Sequence, residues 1–571
     1  MERTPRFGLV VGIGVLLTLL FTFPVSLSPA TMGRVNSGDG QLSIWNVGWV
    51  GHALLTKPLS LWDANIFYPR TDTLAYSESN IGAGLLGLPA LALSHNAVLA
   101  HNVAMLVGFV LAFVSMFALV WHLTRASLSA WLAAIAFAFC PFVFARTAHI
   151  QLMMIWGLPA SLYAWHRFVD APGLRRAVAL ALVLVAATLC CAYYGIFAAL
   201  MMGCAALYYG WTRRASVSRS YWVGVAVAGA LSLALIYPFF LPYLRVRTET
   251  GFERSLDDAA AYATNWPAWL ASPARAHEWL LPHIGNYNEV LFPGIFTILA
   301  GLAGLALAVR RQAPSRPGAR PAAEGGPPDA LAASRVASVP SSRETAGFYA
   351  LVAVLAFWSA FGPRAGLYTA LFHTLPVFAF LRAPARFGIL VTLSLVVVGS
   401  YATRWIAERW PARQRLVGGV LGAALVVELL PLPFPGTDVP PPNQAYLFLA
   451  QERSRAPLAE FPFFFLRSDF PRHAAYMLNS TYHWHPLING YSDNIPDDFR
   501  NIVLSMSTFP SWRAFEILRE RKARYVAFHM QWYDTPSRAR VIENIGRYEQ
   551  YLRLILKNDE VWLYEIRSWP E

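Results

Sequence analysis

What most constrains this 571-residue chain is a series of apolar runs, each nearly free of charge and long enough to cross a hydrocarbon layer of about 30 Å. They fall at about 7–28, 98–121, 127–145, 150–166, 177–192, 195–211, 221–243, 291–309, 347–361, 387–403 and 416–432, which makes about eleven crossings. The composition agrees: 56% of residues are hydrophobic and only 14% charged, where a soluble domain carries roughly a quarter. The expected fold is a polytopic α-helical membrane protein. The N-terminal run is uncharged and lacks a small-residue cleavage site, so it reads as a span and not as a cleaved signal.

The net charge of +13 is mostly arginine lying between the runs. Arg3 and Arg6, Arg125, Arg167 with Arg175 and Arg176, Arg213 with Arg214 and Arg219, Arg310 with Arg311, and the cluster at 404–415 all fall on one side of the predicted membrane. The positive-inside rule makes that side cytoplasmic, and with it the N-terminus. Nothing resembles a nucleic-acid-binding motif, so no nucleic-acid partner is expected. The uncharged stretch 79–99 would invert every later cluster if it crossed. With Gly82, Gly84, Gly87 and Pro89 it reads as a poor continuous helix, re-entrant or lying at the surface. The segment 312–345 is rich in Pro, Ala, Gly and Ser and reads as a disordered cytoplasmic linker. Cys140, Cys190, Cys191 and Cys204 lie inside apolar runs, with neither metal-ligand spacing nor a disulfide framework.

This map divides the chain into a transmembrane part, 1–435, and an extracytoplasmic part, 436–571. Outer loops fall at 30–79, 244–290 and 362–386. Beyond 436, β-like runs at 458–466, 525–529 and 561–566 alternate with charged helical stretches such as 511–521, which predicts a separate soluble α/β domain.

Three signals carry chemistry. In the first outer loop Asp39 stands between Gly38 and Gly40, where the missing side chains would let a ligand approach. A helix with Trp45, Trp49 and His52 follows, its tryptophans suited to the headgroup zone. Glu78, near the loop's far end, is open to a ligand role or a helix cap. The second signal is arginine where positive-inside bias depletes it: Arg245, Arg247, Arg254, Arg364, Arg382 and Arg386. Guanidinium groups bind phosphate oxygens in bidentate fashion, and Arg386 follows Pro384 near a helix N-terminus, a favourable anion site. The third is a mixed segment with Asp257, Asp258, His277, Glu278, His283 and Glu289. It contains the elements of a divalent-cation site without a diagnostic spacing, so no metal ligand is assigned. His149 and Gln151 begin a span from the outer side. Tyr482-His-Trp-His485 reads as extended, with His483 and His485 on one face, and Asn489 follows it. No Walker, Rossmann, GxSxG or HExxH pattern occurs, so an outward-facing site fits a lipid-carried donor better than a cytosolic nucleotide.

Taken together, Gly38-Asp39-Gly40 with Trp45 and Trp49, Asp63-Ala-Asn-Ile-Phe-Tyr-Pro69, Thr73-Leu-Ala-Tyr-Ser-Glu78, His149-Ile-Gln151, Leu291-Phe-Pro-Gly294, Leu381-Arg-Ala-Pro-Ala-Arg-Phe387, Ala459-Glu-Phe-Pro462, the stretch from Tyr476 to His483 and Asn489-Gly-Tyr-Ser492 resemble bacterial C-class (GT-C) integral membrane glycosyltransferases. The resemblance implies a polyprenyl-phosphate sugar donor and a catalytic aspartate in the first outer loop, which falls on Asp39. The second acid that many members carry beside it is replaced here by glycine. Some oligosaccharyl-transferring relatives use a metal. The expected activity is sugar transfer to a lipid, glycan or protein acceptor at the outer face of the bacterial cytoplasmic membrane, with Asp39 as general base. Glu78, His149, Arg254, Arg382, Arg386, His483 and Asn489 are the candidate substrate-binding residues. The alternatives are a flippase or a non-catalytic binding protein for a lipid-linked glycan. A transporter concentrates ionisable groups at the membrane midplane, whereas here they gather in outer loops.

Overall fold

Uncharged sequence becomes helix wherever the backbone must satisfy its own hydrogen bonds, and the computed structural model follows that rule closely. It describes residues 6–213, 218–251, 253–310 and 342–571. The helices that follow from the apolar runs are α1 (Phe7–Phe21), α2 (Gly38–Thr56), α3 (Ile81–Ser94), α4 (Ala97–Thr124), α5 (Ser127–Ala138), α6 (Gly157–Asp170), α7 (Leu174–Cys190), α8 (Ala192–Thr212), α9 (Arg219–Thr250), α10 (Ile295–Arg310), α11 (Ser342–Ala360), α12 (Gly388–Arg409) and α13 (Gln414–Leu429). Among the described residues, five helical stretches are long and apolar enough to cross a membrane: Ala97–Thr124, Ser127–Phe144, Ala192–Thr212, Arg219–Thr250 and Pro384–Arg409. The chain is a multi-pass membrane protein.

Side-chain volume decides how these helices meet. A Cβ on Gly304 would stand 2.0 Å from the Val398 carbonyl oxygen, and one on Gly399 would stand 3.0 Å from the Ala300 side chain. Glycine therefore lets α10 and α12 approach at backbone contact, the small-residue packing that membrane helices use in place of a hydrophobic driving force. By contrast, α9 leaves most of its apolar surface uncovered.

The segment 79–99 departs from expectation. Ile81–Ser94 is one continuous helix with Pro89 inside it. Its glycines serve contact: Gly82 faces Cys190, Gly84 faces Val50, and Gly87 faces the Ala100 carbonyl. The helix starts near the α7–α8 junction. Beyond its other end, Asn96 donates to the Ala30 carbonyl at 3.0 Å, just after α1. Both places lie on the side that the arginine map calls outer. The run 150–166 is likewise broken, into a single turn, Ile150–Met153, and α6. The proposed linker 312–345 lies outside the described residues up to 341, and residues 342–345 form the first turn of α11.

After α13 the chain forms a four-stranded sheet in the order β3 (Leu458–Phe461), β4 (Tyr525–His529), β6 (Val561–Ile566), β5 (Leu552–Lys557). β3 and β4 run parallel with Ala459 opposite Val526, and the other pairs are antiparallel. The amphipathic helices Asp497–Met506 and Trp512–Glu520 bury Phe499, Val503, Phe515 and Leu518. A two-residue ladder, β1 (Met32–Gly33) against β2 (Thr437–Asp438), ties this region to the loop after α1.

The outer loop and the sheet share one core. Trp45, Trp49, Ile66 and Phe67 pack in the same buried cluster as Tyr446, Phe461, Phe528 and Leu563. Trp45 and Trp49 are therefore not headgroup anchors. Each is buried, with its indole N–H donated to Asn65 Oδ1 at 3.0 Å and to the Leu61 carbonyl at 2.9 Å respectively.

Candidate active site

Where the segments 30–79, 244–290 and 362–386 meet the C-terminal region lies a cavity of about 910 Å³. Asp39, Glu78, His149, Arg254, Arg382 and Arg386 all line it, although they are scattered over more than three hundred positions of sequence. Seven arginines and four carboxylates face this space, giving it a positive balance.

Asp39 belongs to the first turn of α2, which Ser37 caps by accepting from the Gly40 N–H at 3.2 Å. The helix N-terminus favours a carboxylate there. The flanking glycines have a different reason from the one their sequence suggests. A Cβ on Gly38 would stand 2.6 Å from the Pro471 carbonyl oxygen, and one on Gly40 would stand 2.0 Å from that of Arg34. They let two neighbouring backbones close onto the turn, and Asp39 projects from a site packed on both sides. Its Oδ1 accepts from the Tyr491 hydroxyl at 3.2 Å, and its Oδ2 lies 3.5 Å from His149 Nε2. Both partners of this contact remain open, Asp39 by 45% and His149 by 36% of the side chain. Burial holds the His149 imidazole below its usual range, against the opposing pull of Asp39. Burial also pushes the Tyr491 hydroxyl well above its ordinary range, and the Asp39 charge adds to this, so the phenol stays a hydrogen-bond donor.

The facing wall is cationic. Arg382 Nη1 pairs with Asp493 Oδ1 at 2.7 Å, and Arg254 pairs with the other oxygen of the same carboxylate. The Arg382 backbone N–H donates to the Tyr193 hydroxyl at 2.8 Å, and its guanidinium lies over Tyr262 at 4.8 Å. Arg386 lies 4.1 Å over the Tyr193 ring. Deeper in, Arg146 is 7% exposed, pairs with Glu289 at 2.7 Å and donates to the Phe142 carbonyl at 2.9 Å.

Glu78 combines the two roles its sequence left open. It accepts from the Ala192 N–H, capping α8, and it lines the cavity. Desolvation pushes its carboxyl up to about 7, against the opposing pull of the Ala192 N–H and of Arg386. Of the other misplaced arginines, Arg245 is engaged by Asp72 through two contacts at 2.7 Å, and Arg247 pairs with Glu253.

Two expected residues lie elsewhere. His483 and Asn489 are fully buried inside the C-terminal region. Asn489 bridges the backbone of Glu460, accepting from its N–H at 2.8 Å and donating to its carbonyl at 2.9 Å. His483 stacks on Tyr446 with ring centroids 5.5 Å apart. The stretch 482–485 is not extended: Trp484 takes φ 54° and stacks on His52 at 4.5 Å. The mixed segment also disperses. Asp258 closes a capping box with Ser255, Glu289 holds Arg146, and His277 contacts Ser272 and Glu428. Among the described residues, no three His, Cys, Asp or Glu side chains converge as metal ligands.

Sequence reasoning missed Tyr491, Asp493 and Arg146. The first stands two positions from the chosen Asn489, inside the same motif. Arg146 precedes His149 by three positions at the end of a run otherwise too apolar to suggest a charge.

No family model matches the chain, and no curated protein is similar to it. Solved structures are. Arabinofuranosyltransferase AftD from Mycobacteria, in one class of a mutant solved by cryo-EM, superposes with a TM-score of 0.62 at 15% identity, over 100% of this chain and 42% of that one. A second class gives 0.58 at 17% identity, over 98% and 41%. The oligosaccharyltransferase of Archaeoglobus fulgidus aligns with a TM-score of 0.47 at 13% identity, covering 99% of this chain and 75% of that one. The chain therefore shares the fold of the aligned part of AftD. This chain spans less than half the length of AftD.

Proposed function

We propose that this protein transfers a sugar from a polyprenyl-phosphate-linked donor to an acceptor at the outer face of the bacterial cytoplasmic membrane. The observation that carries the reading is an open carboxylate, Asp39, facing an arginine wall across one cavity. The acceptor hydroxyl oxygen bonds to the anomeric carbon, the bond from that carbon to the donor phosphate breaks, and the hydroxyl proton passes to Asp39. The lipid phosphate departs with the bonding electrons. Such base catalysis is worth roughly 10²–10⁴-fold.

Each neighbour has a task in this scheme. Tyr491 and His149 hold the two oxygens of Asp39 in place. Arg382 and Arg386, with Arg254, face the charge that collects on the departing phosphate. The apolar face of the cavity, including Phe239, Phe240 and Phe380, suits the first isoprene units of the lipid. About eleven crossings, a cytoplasmic N-terminus and an extracytoplasmic region 436–571 complete the reading, supported by the arginine map.

The test uses full-length protein reconstituted in vesicles with a labelled polyprenyl-phosphate sugar and an acceptor extract. The wild type forms product and Asp39→Asn does not, while both insert and melt alike. Wild-type rates from Asp39→Asn would overturn the assignment of the base. Movement of label across the membrane without product would replace transfer by transport.

A further inference from the structure

Arg254 and Arg382 belong to different outer segments, one following α9 and one preceding α12, and a single carboxylate holds both. That carboxylate is Asp493, in an irregular stretch of the C-terminal region that enters the cavity from the opposite side. Two guanidinium groups on two oxygens of one anion is the arrangement a phosphate would take up there. We propose that Asp493 is a resident counter-anion, holding Arg254 and Arg382 in the place of the donor phosphate and yielding them when that phosphate arrives. The proposal rests on the donor reading above and adds how the site treats free anions.

Three observations support displacement over a fixed structural bridge. First, the Asp493 side chain is 32% exposed, so it has room to turn. Second, the backbone beside it is anchored: the Asn494 N–H donates to the Tyr76 carbonyl at 2.9 Å, and the Asn494 amide reaches Thr250 Oγ1 at 3.3 Å. Neither bond involves the Asp493 side chain, so that one short group can turn away from both guanidinium groups without moving the stretch. Third, Arg386 lies four positions beyond Arg382, in the short turn before α12, with its guanidinium on the Tyr193 ring. Glu78 attracts it through space, without a hydrogen bond between the two among the described residues. A cation is thus left ready for the incoming phosphate while its two neighbours are held in reserve.

The consequence is selectivity. A partly exposed ion pair stabilises a fold only slightly, but an anion that must displace both pairs of Asp493 loses a comparable amount of binding for each. Inorganic phosphate brings nothing to offset that loss. A phosphate carrying a polyprenyl tail brings apolar burial along the cavity wall.

Equilibrium binding to full-length protein in nanodiscs tests this, with a polyprenyl phosphate and inorganic phosphate as separate probes. The variants are Asp493→Asn, which keeps the shape and removes the charge, and Asp497→Asn, which removes a charge paired with another cavity-facing arginine, Arg500. The expected result is that Asp493→Asn binds polyprenyl phosphate about fivefold to tenfold tighter than wild type and gains measurable affinity for inorganic phosphate, while Asp497→Asn changes neither. Equal or weaker binding by Asp493→Asn, or an equal gain in Asp497→Asn, overturns the counter-anion and leaves the donor reading standing. If neither wild type nor Asp493→Asn binds polyprenyl phosphate, both fall.

Discussion

A trio of carboxylate, histidine and tyrosine lines the cavity and another lies inside the C-terminal region, and the two differ in what surrounds them. In the cavity, Asp39 meets Tyr491 at 3.2 Å and His149 at 3.5 Å. Inside the C-terminal region, Glu460 Oε2 lies 2.7 Å from His529 Nε2 and accepts from the Tyr446 hydroxyl at 3.1 Å. The second trio is the tighter of the two, yet Glu460 and His529 are 0% and 2% exposed, whereas Asp39 and His149 are open to the cavity. Short distances between reactive groups thus do not make a site. A trio sealed in a core, with His529 stacked on Trp532 at 4.2 Å, has no room for a reacting partner. It fixes a packing arrangement, and the looser trio keeps a carboxylate free to take a proton.

Substitutions separate the two roles. The largest effect is expected from Asp39→Asn, which removes the base and lowers the transfer rate by about 10²–10⁴-fold, with thermal unfolding unchanged. Glu460→Ala should do the opposite. It removes the buried carboxylate that His529 and Tyr446 share and costs about 3–5 kcal/mol of stability, seen as a lower unfolding temperature, while the protein that remains folded keeps its turnover. Tyr491→Phe removes one donor to a charged acceptor, worth about 1.5–3 kcal/mol, so turnover falls by at least about tenfold with little change in unfolding. Equal loss of stability from Asp39→Asn and Glu460→Ala would erase the distinction.

The smallest effect concerns pH. Glu78 titrates at about 7 in the folded protein against an ordinary value of 4.5. Between those values the folded state holds more proton than the unfolded one, so this group's contribution to stability falls as pH rises and levels off above about 7. Glu78→Gln removes that slope. The difference in unfolding temperature between Glu78→Gln and wild type should therefore shift in favour of the variant from pH 4.5 to pH 7. A difference that is flat across this window would show that Glu78 is not desolvated as its place at the α8 terminus requires.

The membrane part was legible because hydropathy reports directly on lipid. Asp39, Arg254, Arg382 and Arg386 were legible for a related reason: each is a charge where bilayer physics discourages one or glycines isolate one. What stayed hidden depends on long-range packing. The glycines beside Asp39 answer to the Pro471 and Arg34 backbones, and no local pattern encodes that contact. Trp45 and Trp49 have the spacing of interfacial anchors, but they complete a core with strands four hundred positions away. His483 and His485 would share a face only in a strand, and the turn at Trp484 buries both. Tyr491 and Asp493 matter through what they touch across the cavity, and local sequence does not specify such partners.

The central claim is that the cavity holds a lipid phosphate between the arginine wall and Asp39. A cryo-EM structure of the full-length protein in nanodiscs with a bound polyprenyl-phosphate sugar tests it most directly. The account predicts the phosphate against Arg382 and Arg386, the anomeric carbon facing the Asp39 side of the cavity, and the isoprene chain leaving past Phe240 and Phe380. A donor phosphate bound away from these arginines, or a sugar held out of reach of Asp39, would contradict it.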